Sequence, residues 1–257
     1  MLDRVGWTLT DVLDLCQGLE LKQEQRPPEF RQRVVGEGEQ TVRLSGDGWL
    51  ATNDILNIKY ARIQGVQMDI ATVMIYPTGS PDLLPVFAAE WVLFRDRIHA
   101  AILDVEIAGR WEGLRDDMRS VLGSVGSHWQ EKFPPNLERP LWFQEIAEDW
   151  AIFSSCSADK VPTVREMFCN YLQIALDAFY FPRMKDARGG EDHPDVRRYK
   201  EHHCEHSPGR KVMSGKMGTE FTESFLGEWH FGPPALSSAR PYVPQVSYSS
   251  TVVRPAR

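Results

Sequence analysis

Apolar residues between positions 41 and 106 fall into four short runs separated by turn residues, a pattern typical of consecutive strands. The runs are ILNIKYARIQ, MDIATVMIYP, PVFAAEWVLF and IHAAILDVEI. Their breaks, GVQ, TGSPDLLP and RDR, are short enough to join antiparallel neighbours. Within the last run, AAILDVEI is apolar at almost every position, which indicates a sheet covered on both faces.

Helical spacing of apolar residues predicts the elements that cover this sheet. An opening helix is expected in TLTDVLDLCQGLEL, and residues 25–38 are expected to form a polar loop. Five further helices are predicted at 110–125, 142–148, 161–181, 195–206 and 219–229. The predicted fold class is therefore α/β, a three-layer α/β/α sandwich with a central, mostly antiparallel sheet.

Length and composition favour one domain. The chain has 257 residues, of which 42% are hydrophobic, and no long polar linker divides it. We predict a single α/β/α domain over residues 1–231 and an extended tail, rich in proline and serine, over residues 232–257.

The charge and the cysteines of the chain indicate a soluble protein. A net charge of −7 argues against a surface built to neutralise phosphates, so nucleic acid is not an expected partner. The four cysteines form no CxxC pair, which fits a reducing compartment. The N-terminus lacks a signal-peptide pattern, and no apolar stretch approaches the length of a membrane span. We therefore expect a cytoplasmic protein with no membrane partner.

Several common enzyme signatures are missing from the sequence. No GxGxxG follows a predicted strand, so there is no nicotinamide or flavin fingerprint, and there is neither a Walker loop nor a GxSxG elbow. If the protein is a redox enzyme, its electrons are therefore expected to come from another protein.

Three histidines and a cysteine crowd the stretch EHHCEHSPGRK at residues 201–211. On a helix, His202 and His206 lie at positions i and i+4, the spacing of metal ligands, but the order of residues is not HExxH. A solvated helix end and a proton-handling or substrate-contacting site are the alternatives. No metal site is predicted.

Glu90 lies in the middle of the apolar run PVFAAEWVLF. Burial raises the pKa of a carboxyl group, and a carboxylic acid kept protonated at neutral pH is able to donate a proton. The alternative is a side chain that points to solvent at one end of the sheet. Asp104, on the following strand, is a second carboxyl group and a candidate cross-strand neighbour of Glu90.

Three blocks of the sequence resemble the ferredoxin-dependent bilin reductases. They are VMIYPTGSPDLLPVFAAEWVLFRDRIHAAILDVE, EDWAIFSSCSADKVPTVREMFCNYLQIAL and HSPGRKVMSGKMGTEFTESFLGEWHF, and their order and spacing carry the likeness. Within the family they are most similar to the reductase that makes 15,16-dihydrobiliverdin, and a glutamate at position 90 is also reminiscent of the red chlorophyll catabolite reductases. The resemblance implies an α/β/α sandwich with a linear tetrapyrrole between the sheet and the C-terminal helices.

The resemblance also implies a chemistry. Electrons arrive singly from reduced ferredoxin, side chains supply protons to the bilin, and neither a metal nor a tightly bound cofactor is needed. The proton-donating aspartate of the family falls on Glu90 here, and a second aspartate falls on Ser207. A histidine or asparagine of some members falls near Ala71. We therefore expect a catalytic role for Glu90, with Asp104 as a further candidate.

His206 is expected to replace the lost second acid, and Arg210 and Lys211 are expected to meet the propionates of the bilin. Ser207 and Ala71 are expected to contact the substrate. The predicted activity is ferredoxin-dependent reduction of biliverdin IXα or a partly reduced bilin. Two alternatives keep the fold: a reductase of a chlorophyll-derived linear tetrapyrrole, and a non-catalytic bilin carrier that has lost its proton donors.

Overall fold

The computed structural model describes residues 6–207, 209–234 and 240–241. In these ranges nine strands form one sheet, in which each described pair of neighbours is antiparallel. The strands are β1 (Leu21–Gln23), β2 (Gln32–Val35), β3 (Val42–Ala51), β4 (Leu56–Gly65), β5 (Met68–Pro77), β6 (Val86–Phe94), β7 (Arg97–Glu106), β8 (Ile152–Ser157) and β9 (Arg240–Pro241).

The centre of the sheet is a meander of five long strands. The spatial order is β8-β7-β6-β5-β4-β3-β1-β9, and β2 pairs with β3 off this path. Each strand from β3 to β7 pairs with its successor in the chain, because the connections are short enough to turn the chain straight back. This register places Glu90 opposite Thr72 on one side and opposite Ile102 on the other.

Helices cover both faces of the sheet. They are α1 (Leu9–Leu15), α2 (Pro28–Arg31), α3 (Glu112–Lys132), α4 (Leu141–Gln144), α5 (Val161–Ile174), α6 (Phe181–Arg183), α7 (Pro194–His206), α8 (Gly209–Met217) and α9 (Thr219–Ser224). Two of them continue into π-helical segments, Ala175–Tyr180 after α5 and Phe225–His230 after α9. None of the described helices is both long and apolar enough to cross a bilayer.

The larger core lies on the face of the sheet that carries Trp91, against α1, α3 and α5. Trp7 stacks on Phe168 of α5 with ring centroids 4.5 Å apart and meets Trp91 edge-on at 6.0 Å. Helix α3 approaches very closely at Gly126, where an added Cβ would lie 2.6 Å from the Cα of Trp150. Since this layer is closely packed, the opposite face is the one left with room for a ligand.

On the opposite face, α7, α8, α9 and the second π-helical segment form the third layer. Its apolar contacts include Leu44 and Ile63 of the sheet with Met213 and Trp229 of the helices. A buried ion pair between Lys59 and Glu24 also fixes this layer, because the indole N–H of Trp229 donates to the same carboxylate at 3.2 Å.

The structure confirms the predicted α/β fold with its mostly antiparallel sheet, and the four predicted strands correspond to β4–β7. Residues 25–38 are not a simple loop, since they contain α2 and β2. Proline at the first position of a helix is favourable, so Pro28 begins α2 rather than excluding it. Helix α8 was not predicted, and most of the predicted tail at 232–257 lies outside the described residues.

Candidate active site between the sheet and the C-terminal helices

A cavity of about 70 Å³ lies between β3–β7 and the C-terminal helices. Its walls are mainly apolar because the strands present every second residue to this face. Polar side chains interrupt these walls at a few positions. The polar lining residues are Thr72, Glu90, Glu106, His203, Ser207 and His230.

Glu90 borders this cavity from the centre of the sheet. Its neighbours in the strand alternate: Ala89 and Trp91 pack into the core on the other face, whereas Glu90 faces the cavity. The side chain is partly exposed to the cavity, but its apolar surroundings remove most of the water around the carboxyl group, and this desolvation raises the pKa of Glu90 to about 7. At neutral pH the group therefore has a proton to give in a substantial share of the molecules.

His230 reaches the same region from the π-helical segment after α9. Its Nε2 lies 3.3 Å from the hydroxyl oxygen of Thr72, the residue opposite Glu90 on β5. Burial, followed by the charges of Lys59, His203 and Lys200, lowers the pKa of His230 to about 3. His230 is therefore neutral near pH 7, and its buried Nδ1 has no hydrogen-bond partner in the described structure.

A second group of polar residues lines the cavity at the end of β7. The carboxylate of Glu106 is fully buried and accepts a hydrogen bond from the hydroxyl of Tyr199. The Nε2 of His203 lies 3.7 Å from the same Oε2 oxygen. Glu106 and His203 both line the cavity, and each keeps one buried polar atom without a hydrogen bond, Oε1 and Nε2 respectively.

A second cavity, of about 380 Å³, adjoins the first. Both are bordered by Ile70, Glu90, Ile102, Trp142 and Gly209. Glu90 therefore lies where the two cavities meet, and a ligand longer than either cavity alone has room to extend past its carboxyl group.

The structure brings only part of the predicted site together. Glu90 and Ser207 border the cavity. Ala71 lies on the opposite face of β5, within the core beneath α5, because side chains alternate along a strand; Thr72 borders the cavity instead. Asp104 faces Ala88 rather than Glu90, and its oxygens accept the backbone N–H groups of Val105 and Glu148 at 2.8 and 2.9 Å.

The predicted residues of α7 and α8 also lie apart from the cavity. His206 is exposed, stacks on Trp142 and bonds through Nδ1 to the carbonyl of His202 at 2.9 Å. Arg210 contacts the carboxylate of Glu223 and the carbonyl of Cys204, and Lys211 is exposed. In the described ranges no three His, Cys, Asp or Glu side chains converge as metal ligands would.

Sequence reasoning did not identify Thr72, Glu106, His203 or His230 as candidates. A signal for His203 was present, because Val196, Tyr199 and His203 repeat at helical spacing and are the buried stripe of α7. That stripe turns His203 inward and leaves His206 on the outside. No comparable signal existed for His230, whose direction depends on the wider turn of a π-helical segment.

The sequence model of the ferredoxin-dependent bilin reductases matches residues 10–232, which is most of the chain and includes all the cavity residues named above. The chain belongs to this family. The predicted family is thus confirmed, and membership makes the protein an oxidoreductase that takes electrons from ferredoxin and acts on a bilin.

Among solved structures, the bilin reductase chain is similar to phytochromobilin synthase from tomato, crystallised in complex with biliverdin. The TM-score is 0.71 at 14% sequence identity, over 87% of this chain and 80% of the tomato chain. At this identity the likeness shows a shared fold. No curated protein matches the sequence.

Proposed function

We propose that this protein reduces biliverdin IXα, or a partly reduced bilin, by sequential transfer of electrons from ferredoxin and of protons from its own side chains. The observation that carries the proposal is Glu90: a carboxyl group in an apolar cavity, with its pKa raised to about 7, within a family that reduces bilins. The tomato relative in complex with biliverdin supports the choice of substrate.

The shape and polarity of the cavity support a linear tetrapyrrole. Such a molecule is apolar over most of its area and acidic only at its two propionates, which suits walls made of aliphatic and aromatic side chains. The bilin is proposed to lie along the two adjoining cavities, with Glu90 beside the middle of it.

Glu90 is the proposed proton donor. Reduction of one double bond adds two electrons and two protons; ferredoxin supplies the electrons one at a time, and Glu90 supplies a proton to the bilin that has accepted an electron. An acid with a pKa near the working pH both carries the proton and releases it readily. Water then restores the proton of Glu90 through the open side of the cavity.

Thr72, Ser207 and His230 are proposed to orient the bilin. Ser207 replaces an acid of the family and lines the cavity at the end of α7, where its hydroxyl is able to hydrogen-bond a pyrrole or lactam group. The neutral ring of His230, with its free Nδ1, is placed to do the same from the opposite helix.

Arg210 and Lys211 lie outside the cavities, but Gly209, which precedes them, borders both, and the propionates are proposed to extend past Gly209 to reach the two cations. Arg210 already pairs with Glu223, so a propionate has to exchange with that carboxylate. We propose that no tightly bound cofactor takes part and that the protein works in the cytoplasm.

The experiment is anaerobic incubation of the purified protein with biliverdin IXα, ferredoxin and a ferredoxin-reducing system, followed by absorption spectroscopy and separation of the products. Loss of the biliverdin band with formation of a reduced bilin is the expected result. Binding without reduction would support the carrier alternative. If biliverdin stays intact and a chlorophyll-derived linear tetrapyrrole is reduced in a parallel reaction, the alternative substrate class would be supported.

A further inference from the structure

We propose that Glu106 and His203 form a second proton-donating pair in this cavity, with His203 as the catalytic residue and Glu106 and Tyr199 as the residues that position it. The inference rests on the proposed function, because it assigns the source of the proton that Glu90 does not supply. Ser207 also lines the cavity, but its hydroxyl is far too weak an acid for this task.

The geometry favours His203 among the histidines of α7. His203 lines the cavity, whereas His202 bonds through Nε2 to the carbonyl of Trp142 at 2.9 Å and His206 is exposed. Its ring lies between aromatic neighbours, edge-on to Trp142 at 5.7 Å and stacked with Phe231 at 5.9 Å. These contacts hold the ring in one orientation at the cavity wall.

Glu106 is the charged partner of His203. With 3.7 Å between Glu106 Oε2 and His203 Nε2, the carboxylate and a protonated imidazole are within ion-pair distance. Tyr199 donates to the same oxygen, which fixes the carboxylate, and the ring of Tyr199 lies 4.6 Å from that of His203. A carboxylate, an imidazole and an orienting donor are the parts that a general acid requires.

The two unpartnered atoms indicate that this pair is built for a ligand. Among the described residues, neither Glu106 Oε1 nor His203 Nε2 has a hydrogen-bond partner, since the 3.7 Å between Nε2 and Glu106 Oε2 is too long for a hydrogen bond. Buried polar atoms seldom stay unpaired in a protein. The other titratable groups facing the pair come from the sheet and the helices. They are Tyr76, Asp104, Glu148, Tyr199 and His230.

The reaction balances with two donors. Two electrons arrive from two reduced ferredoxins; Glu90 loses one proton and becomes a carboxylate, and the imidazolium of His203 loses the other and becomes neutral imidazole. Both protons end on the bilin, whose double bond becomes a single bond. Solvent then protonates Glu90 and His203 again.

The test compares the parent protein with His203→Ala, Glu106→Gln, Tyr199→Phe and, as a control, His128→Ala on the exposed surface of α3. Bilin binding, turnover and the spectrum of the half-reduced bilin are measured for each. We expect His203→Ala to bind bilin but to turn over about 10²–10⁴-fold more slowly. The half-reduced bilin should accumulate, and added imidazole should restore part of the rate. Tyr199→Phe, which retains the ring, should be impaired less.

The outcomes separate this inference from the proposed function. A parent protein that reduces no bilin would overturn both. A parent that turns over, together with His203→Ala and Glu106→Gln proteins that match it and show no accumulated intermediate, would overturn only the second donor. If Glu106→Gln does not fold, imidazole rescue of His203→Ala decides the matter, because a residue needed only for packing is not rescued by a small base.

Discussion

Glu90 and Asp104 lie on the same face of adjacent strands, yet only the carboxyl group of Glu90 borders the cavity. Asp104 is fully buried, and both of its oxygens accept backbone N–H groups, so its carboxyl group ties β7 to the segment before β8. Two acids that are equivalent in the sequence pattern therefore have different surroundings, one facing a ligand space and the other facing the backbone.

Replacement of Glu90 should separate chemistry from binding. Glu90→Gln retains the shape of the side chain, so folding and bilin affinity should be preserved, whereas turnover should fall by about 10²–10⁴-fold because the proton donor is lost. Glu90→Asp should retain more activity than Glu90→Gln. Stopped-flow absorption with ferredoxin measures the rates. A Glu90→Gln protein that works at the parent rate would exclude Glu90 as donor.

Glu90 should also make the stability of the protein depend on pH. The pKa rises from an unfolded value of 4.5 to about 7 in the folded state, so between these values the folded state holds more protons and stability falls as pH increases. Glu90→Gln removes the ionisable group and with it this loss of stability. Above pH 7 we therefore expect the free energy of unfolding of the variant to exceed that of the parent by about 1–3 kcal/mol, a range that allows for the partial exposure of Glu90. Urea unfolding at pH 4.5 and pH 8 measures it. An equal difference at both pH values would contradict the assignment.

Much of the fold could be predicted because the spacing of apolar residues and turn residues determines which segments form strands and how they are connected. The four apolar runs and the short breaks between them predict an antiparallel meander, and the two-residue repeat of a strand places Glu90 on the face opposite to Trp91. The periodicity of apolar residues within one strand does not determine which of its residues pair with those of a neighbouring strand. The pairing of Glu90 with Ile102 instead of Asp104 depends on the turn at 95–96 and on the bulge between Val92 and Leu93, which the sequence does not reveal.

The site was harder to predict because its polar residues come from the ends of elements far apart in the chain. Glu106 and His203 are separated by almost one hundred positions, and only the packing of α7 on the sheet brings them to 3.7 Å. The cluster EHHCEHSPGRK predicted a role for His206. That side chain points outward because the buried stripe of α7, which includes Tyr199 and His203, lies on the other side of the helix.

Arg210 and Lys211 provide a test of how the propionates are held. If both cations meet propionates, the double change Arg210→Ala with Lys211→Ala should weaken bilin binding by about 1–3 kcal/mol. Glu223→Gln should instead strengthen bilin binding, by less than this amount, because the change frees Arg210 from its carboxylate partner. Fluorescence titration with biliverdin measures both. Unchanged affinity in the double variant would remove the two cations from the binding site.

The buried pair of Lys59 and Glu24 should contribute strongly to stability. Lys59 is fully buried, and desolvation lowers the pKa of its amine to about 8. Lys59→Met removes the cation and leaves the carboxylate of Glu24 buried, which should cost about 3–5 kcal/mol. The partly exposed pair of Lys22 with Asp54, at 3.7 Å, is the control, and Lys22→Met should cost less than about 1 kcal/mol. Similar losses in the two variants, measured by urea unfolding, would contradict this account.

Two glycines of α3 should respond in opposite ways to alanine. At Gly126 an added Cβ would meet the backbone of Trp150 at 2.6 Å, so Gly126→Ala has to push α3 away from the sheet and should destabilise the protein by about 1–3 kcal/mol. At Gly123 nothing lies within 4 Å of an added Cβ, so Gly123→Ala should stabilise the helix by up to about 1 kcal/mol. Thermal unfolding of both variants measures the difference. Equal stability would mean that α3 does not pack as closely as described. The closed layer beneath β6 would then no longer account for a cavity on the Glu90 side of the sheet.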